Sequence, residues 1–202
     1  RRDGLTRAIY WLLGPLVYDG KDLQHKTASV PRVFQLRYND GNQKVIEYRN
    51  RGLGVPTMVT RMSKDMTRNN IINMIIHKAI AGRRNTLVLS ERRNHLEKLF
   101  KETQGYLSGI SSDMEAGIVL GGSTEKQREE GFSKDIIFST FQYAFEGLDI
   151  PKLDTLVLGT PCSATRLEQC VGRIMRSPDS EPVVIDIHDP FSIFDGMAWS
   201  RY

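Results

Sequence analysis

From Pro56 onward, short apolar runs alternate with longer amphipathic ones, and this alternation restricts the possible folds more than any other feature. The runs at 86–89, 117–120, 136–139, 155–158 and 183–187 are of strand length. They are apolar nearly throughout, as in strands buried on both faces. Between them, helices are expected over 69–81, 91–102 and 166–176. A shorter one opens at Thr124-Glu-Lys-Gln127, a capping-box pattern in which hydroxyl and amide satisfy each other's orphan backbone donors. Gly82 stands where a left-handed residue would close the first of these helices. Residues 58–61 read as a further short strand. The expected class is therefore α/β: a three-layer sandwich with a mostly parallel sheet, which takes ligands at the carboxyl ends of its strands.

Residues 1–55 read differently. A helix over 5–13 ends at Gly14-Pro15, and strands at 30–38 and 44–48 flank Asn39-Asp40-Gly41-Asn42, a strong hairpin turn. Gly52, Gly54 and Pro56 then break the pattern. We expect a linker segment with a β-hairpin over 1–55, a main domain over 56–190 and a helical tail over 191–202. The tail's Phe191, Phe194, Trp199 and Tyr202 should pack back on the domain. The length of 202 residues suits one domain with a flanking segment. The start without Met points to an excised fragment, and no signal-like stretch opens the chain. No apolar run nears the roughly 20 residues of a membrane span, so an intracellular, soluble protein is expected.

Cys162 and Cys170 have no common zinc spacing and read as buried free thiols in a reducing compartment. His25, His77, His95 and His188 show no ligand spacing either, so they read as surface or packing residues and no protein-bound metal is expected. The Ile and Met positions of 71–80 read as core, and the Arg49–Arg51 and Arg83-Arg84 clusters as solvated. A net charge of +4 is compatible with a polyanionic partner.

Two stretches hold the chemistry. In Gln169-Cys170-Val171-Gly172-Arg173-Ile174-Met175-Arg176, helical periodicity gathers Gln169, Arg173 and Arg176 within ~60° on one face. Leu167, Cys170, Val171 and Ile174 gather on the other. Thr165-x-x-Glu168 reads as the capping box that starts this helix, and Ser177-Pro178 as its stop. Two guanidinium forks on one rigid element suit phosphate oxygens. Gly172 costs ~1 kcal/mol in mid-helix, which makes sense where another backbone or a ligand comes close. The second stretch runs from Ser139-Thr140 at a strand's carboxyl end, through a loop, to Gly147-Leu148-Asp149-Ile150-Pro151. Thr140 would put a hydroxyl at the ligand edge, Gly147 lets the backbone turn, and Asp149 suits a ribose hydroxyl.

Together these stretches resemble motifs V and VI of superfamily 2 helicases, Thr…Gly-x-Asp-x-Pro and Gln-x-x-Gly-Arg-x-x-Arg, both complete here. The stretch Thr86–Leu99 resembles motif IV, Gly121-Gly122 the glycine-bearing strand end that follows it, and Arg2-Asp3-Gly4-Leu5 the sequence just after the family's first lobe. The resemblance implies the C-terminal RecA-like lobe of an ATP-dependent helicase or translocase. Arg173 and Arg176 would be arginine fingers to the γ-phosphate, with Gly147, Asp149 and Gln169 completing the ATP side. Ser90, Arg92, Gly122 and Thr140 would touch the backbone of one nucleic-acid strand. No phosphate loop and no Asp-Glu pair for Mg²⁺ occur. ATP and Mg²⁺ would thus be held mainly by an N-terminal lobe, and this chain alone would be inactive. Single-stranded or duplex DNA is the implied partner, with RNA open. The forms of motifs IV and VI look most like phage and large-DNA-virus helicases and the TFIIH helicase group. The rival is a helicase-like module kept as a non-catalytic binding or scaffold domain.

Overall fold

A computed structural model describes residues 31–38, 54–146, 150–174, 181–190 and 192–201. Six strands form one sheet: β1 (Arg32–Arg37), β2 (Thr86–Ser90), β3 (Ala116–Val119), β4 (Ile136–Thr140), β5 (Thr155–Leu158) and β6 (Val183–His188). Their spatial order is β1-β6-β5-β2-β4-β3, and each neighbouring pair is parallel. Seven helices are described: α1 (Val55–Met62), α2 (Met66–Ala81), α3 (Arg93–Gly109), α4 (Glu125–Ser133), α5 (Phe141–Glu146), α6 (Ala164–Ile174) and α7 (Ser192–Trp199).

The central strands are buried on both faces because successive side chains point to opposite sides. Val88, Phe138 and Val157 meet Ile72, Ile76, Leu96 and Leu99 of α2 and α3. Leu87, Leu89, Ile137 and Leu156 meet Phe141, Leu167, Cys170 and Ile174 of α5 and α6. Two apolar layers across one parallel sheet make the three-layer α/β sandwich that the run pattern implied. Met74, assigned to the core, is instead 59% exposed, while Ile72, Ile75, Ile76 and Ile80 are buried.

Residues 58–61, read as a strand, lie in helix α1. Pro56 stands in its first turn, and Met58, Val59 and Met62 form a buried helical stripe against Phe194 of α7. At the end of α2 the left-handed residue is Arg83 (φ 51°), while Gly82 has φ −83°. The N–H of Arg83 donates to Ile80 O and that of Arg84 to Ala79 O, the paired bonds of a Schellman end. Arg83 is held there by Asp113 at 2.5 Å. Arg84, expected in solvent, is a tie: it donates to Thr155 Oγ1, Asp154 O and Glu181 O.

The run at 30–38 is strand β1, paired with β6 at the sheet edge. The expected strand at 44–48, the helix at 5–13, His25 and Arg49–Arg51 lie outside the described residues, as do Phe191 and Tyr202. The tail helix α7 does pack back, burying Phe194 and Ala198, although Trp199 stays 72% exposed. Among the described residues, no helix is long and apolar enough to cross a membrane.

Two buried ion pairs fasten the carboxyl ends of β5 and β6. Arg68 of α2 grips Asp189 bidentately at 2.8 and 3.0 Å, and its third nitrogen donates to Gly159 O. Burial pushes the Asp189 carboxyl up, against the pull of Arg68. Arg201, beyond α7, donates to Asp186 and to Cys162 O. Both arginines thereby hold the loop that leads into α6.

Candidate nucleotide and nucleic-acid interface

The carboxyl ends of the parallel strands deliver the candidate residues to one edge. A cleft of about 630 Å³ there is lined by Arg93, Thr140, Gln142, Tyr143, Arg166 and Gln169. A second, of about 500 Å³, adjoins it through Arg93 and Gly121 and includes Gly122, Gln127 and Lys134. Two arginines, two carboxamides and two hydroxyls line the first cleft together with the Glu91 carboxylate, a mostly donor-rich surface suited to phosphate or sugar oxygens.

Thr140 ends β4 and is half-buried in this cleft. The loop expected after it is helix α5, because Phe141 and Ala144 seat it in the core. Gly122 follows β3 with φ +90°, a backbone that side chains rarely adopt, and its N–H donates to Tyr143 Oη at 3.4 Å. Gln169 is exposed on α6 and faces the same cleft as Thr140. The apolar face foreseen for α6 is real, since Leu167, Cys170 and Ile174 are buried. Its cap is not Thr165, which lies within the helix; Ser163 Oγ accepts from Arg166 N at 3.5 Å instead. A Cβ placed on Gly172 would meet no described atom within 4 Å, so no part of the described chain makes the close approach that its presence implied. Position 173 lies one turn beyond Gln169 in α6. Gly147, Asp149 and Arg176 lie outside the described residues.

Ser90 and Arg92 are both engaged within the chain, Ser90 in the interior and Arg92 half-buried beside Asn94 and Lys98. Ser90 is 0% exposed. Asn69 Nδ2 donates to Ser63 O, so Asn69 Oδ1 is the acceptor for His95 Nε2–H at 2.9 Å. His95 Nδ1 is then the acceptor for the Ser90 hydroxyl at 3.0 Å. The same Ser90 oxygen accepts from Arg92 N at the start of α3. Burial foremost, then Arg68 and Lys98, pushes the His95 pKa down to about 3, so the ring is neutral. Arg92 donates from Nε to Thr60 Oγ1 and from Nη2 to Pro56 O, which clamps α1. Among the described residues the exposed cations of the cleft are Arg93 and Arg166, which lie within the motif IV stretch and the Thr165-x-x-Glu168 pattern but drew no site assignment from sequence. His77 stacks on Tyr106 and His188 bonds to Asp195, packing roles as expected.

Cys162 and Cys170 are free and buried, and burial raises the Cys162 thiol to about 12. Among the described residues, no group of three or more His, Cys, Asp or Glu could hold a metal ion.

No family model matches the chain. Its fold is that of phage T4 UvsW, with TM-score 0.59 and 19% identity over 81% of this chain and 33% of that one. It is also that of the Escherichia coli DEAD-box protein SrmB, with TM-score 0.52 and 12% identity over 83% of each chain. A third match, the helicase MrfA solved with DNA and AMPPNP, has TM-score 0.57 and 19% identity over 65% of this chain and 19% of that one. These likenesses show the fold, a RecA-like α/β sandwich; the ordered motifs and the two viral relatives below put the chain with the superfamily 2 helicases, consistent with their C-terminal lobe.

The relatives found by sequence agree. One is L396 of Acanthamoeba polyphaga mimivirus, whose name is that of an ATP-dependent RNA helicase; it is 30% identical over 94% of this chain. The other is transcript termination protein A18 of fowlpox virus, 32% identical over 60% of this chain. The chain spans 36% and 27% of the lengths of these two relatives.

Proposed function

We propose that this chain is the lobe of an ATP-dependent helicase that completes a nucleotide site held by an N-terminal lobe and grips one nucleic-acid strand. The observation that carries the reading is the shared cleft of Thr140 and Gln169 at the carboxyl edge of a parallel sheet. Burial of the apolar face of α6 turns Gln169 outward, as an interlobe contact requires. The open space at Gly172 leaves room for a partner backbone.

The donor set fits this division. We assign Mg²⁺ to the N-terminal lobe because the sequence here carries neither a phosphate loop nor an Asp-Glu pair suited to it. ATP, when bound between the lobes, supplies the phosphoanhydride whose hydrolysis drives movement. Arg173 and Arg176 act on the developing γ-phosphate charge, Gln169 couples the site to the interface, and Gly147 and Asp149 line the ribose side. Fingers of this kind contribute about 10³–10⁵ in rate in other phosphoryl-transfer enzymes. Thr140 and Gly122 touch the strand backbone, which grips without reading sequence. Ser90 acts through the Arg92 turn, and Arg92 through α1. The strand is DNA or RNA, and the viral origin of both relatives supports a viral setting for the lobe.

The test is ATP turnover by the full-length polypeptide, with single-stranded DNA and with RNA, in wild type and Arg173→Ala. The expected result is nucleic-acid-stimulated turnover that Arg173→Ala lowers by on the order of 10³-fold while the fold persists. A folded protein silent with both nucleic acids would favour a non-catalytic scaffold.

A further inference from the structure

The cleft is guarded by a charge. Arg166 Nη1 is ion-paired with Glu91 Oε1, joining the first turn of α6 to the residue just after β2. The pair stands between the cleft of Thr140 and Gln169 and a smaller pocket floored by Cys162 and Phe194.

Three observations separate it from the other ion pairs of this edge. Its side chains are 47% and 31% exposed, whereas Arg68–Asp189 and Arg201–Asp186 are sealed at 1% or less. An incoming anion can therefore reach Arg166 but neither of the others. The two partners also differ in freedom. Glu91 N–H donates to the fully buried Thr160 hydroxyl at 2.9 Å, so the carboxylate is fastened at its backbone. Arg166 reaches the cleft on a long flexible stem. Finally, a cation in the first turn of a helix opposes the helix dipole, while an anion there is favoured. The position that Glu91 fills is an anion position twice over, facing a guanidinium and the start of α6.

We infer that Glu91–Arg166 is an exchangeable clasp: a backbone phosphate of the bound strand displaces the Glu91 carboxylate from Arg166. Glu91 then sets the affinity and limits tight holding, because its carboxylate competes with each entering phosphate for Arg166. A translocating lobe must release as well as grip, and a tethered carboxylate supplies the competing anion at every step. This rests on the strand-gripping reading above. The exchange breaks one ion pair and makes another, with no covalent step.

The experiment measures binding of a labelled single-stranded oligonucleotide to the full-length polypeptide over a salt series, without nucleotide. A parallel arm measures a non-hydrolysable ATP analogue without oligonucleotide. Glu91→Gln should tighten oligonucleotide binding about two- to fivefold, the range that an exposed pair commands. Arg166→Gln should weaken it and flatten the slope of log K against log salt by ~0.7, one phosphate contact on a single strand. The double variant should bind as Arg166→Gln does, and Arg166→Lys should recover the slope. Unchanged or weakened binding in Glu91→Gln, with wild type binding normally, overturns the clasp and leaves the strand-gripping reading intact. Tighter analogue binding with unchanged oligonucleotide binding overturns it in favour of an ATP phosphate. Absence of salt-dependent binding in wild type overturns the clasp and the strand-gripping reading together.

Discussion

At Gly117, an added Cβ would stand 2.3 Å from Gly131 O, a backbone atom of α4 that cannot step aside. Strand β3 and helix α4 touch through two glycines, and that contact shapes one wall of the second cleft. Gly117→Ala should cost about 1–3 kcal/mol, the range of an overpacked core. Gly105 in α3 has no atom within 4 Å of the same hypothetical Cβ, and Gly105→Ala should stabilise by about 0.5–1 kcal/mol. Thermal melts of the two variants should therefore move in opposite directions, by roughly 2–4 °C per kcal/mol for a chain of this size. A Gly117→Ala melt at or above wild type would mean that β3 and α4 separate more easily than this packing allows. Neither outcome is legible from the glycines as letters, because the sign depends on what lies across the gap. The same holds for Ser90 and Arg92. Their motif resemblance implied contacts to a nucleic-acid backbone, yet Ser90 is buried against His95 one turn into α3, and Arg92 donates to Thr60 and Pro56 of the distant α1.

Local chemistry governs some elements and long-range packing others. The α4 capping box was readable because both its bonds span three residues: Gln127 N donates to Thr124 Oγ1 and Thr124 N to Gln127 Oε1. Thr124→Ala should lower stability by about 1 kcal/mol. Hydrogen exchange should quicken at the first turn of α4 and leave α2 and α3 unchanged; quickening throughout would show the cap to be coupled to the whole core. Helix α1 illustrates the opposite case. Four residues at 58–61 rich in β-branched and apolar types match a strand by type alone. Only the Met58–Val59–Met62 stripe meeting Phe194, far along the chain, selects the helix. At α6 the period alone carries the buried stripe, but the cap is Ser163 rather than Thr165, two residues further on. Several hydroxyls lie close together there, and their choice is settled by the loop that Arg201 holds through Cys162 O.

The sheet as a whole is closed by buried polar groups, and these make stability depend on pH. His95 is neutral in the fold, with its pKa pushed down to about 3 from 6.5. As pH falls below 6.5 the unfolded chain binds a proton that the folded chain does not. Stability from this group is full above about 6.5 and declines toward 3, at a slope approaching ~1.4 kcal/mol per pH unit. Chemical denaturation at pH 7 and pH 5 should show this loss in wild type and a smaller one in His95→Asn. Equal losses would assign the acid sensitivity to other groups. The period and length of its apolar runs, together with the ordered motifs, determined by themselves that this chain would be a parallel α/β lobe of the helicase kind, since both act over a few residues. Tertiary structure alone decided the strand order, the place of β1 beside β6, and which polar side chains of the motifs remain free to meet a ligand. Pairs such as Arg68 and Asp189, 121 residues apart, leave no periodic trace and form only when the sheet brings them together.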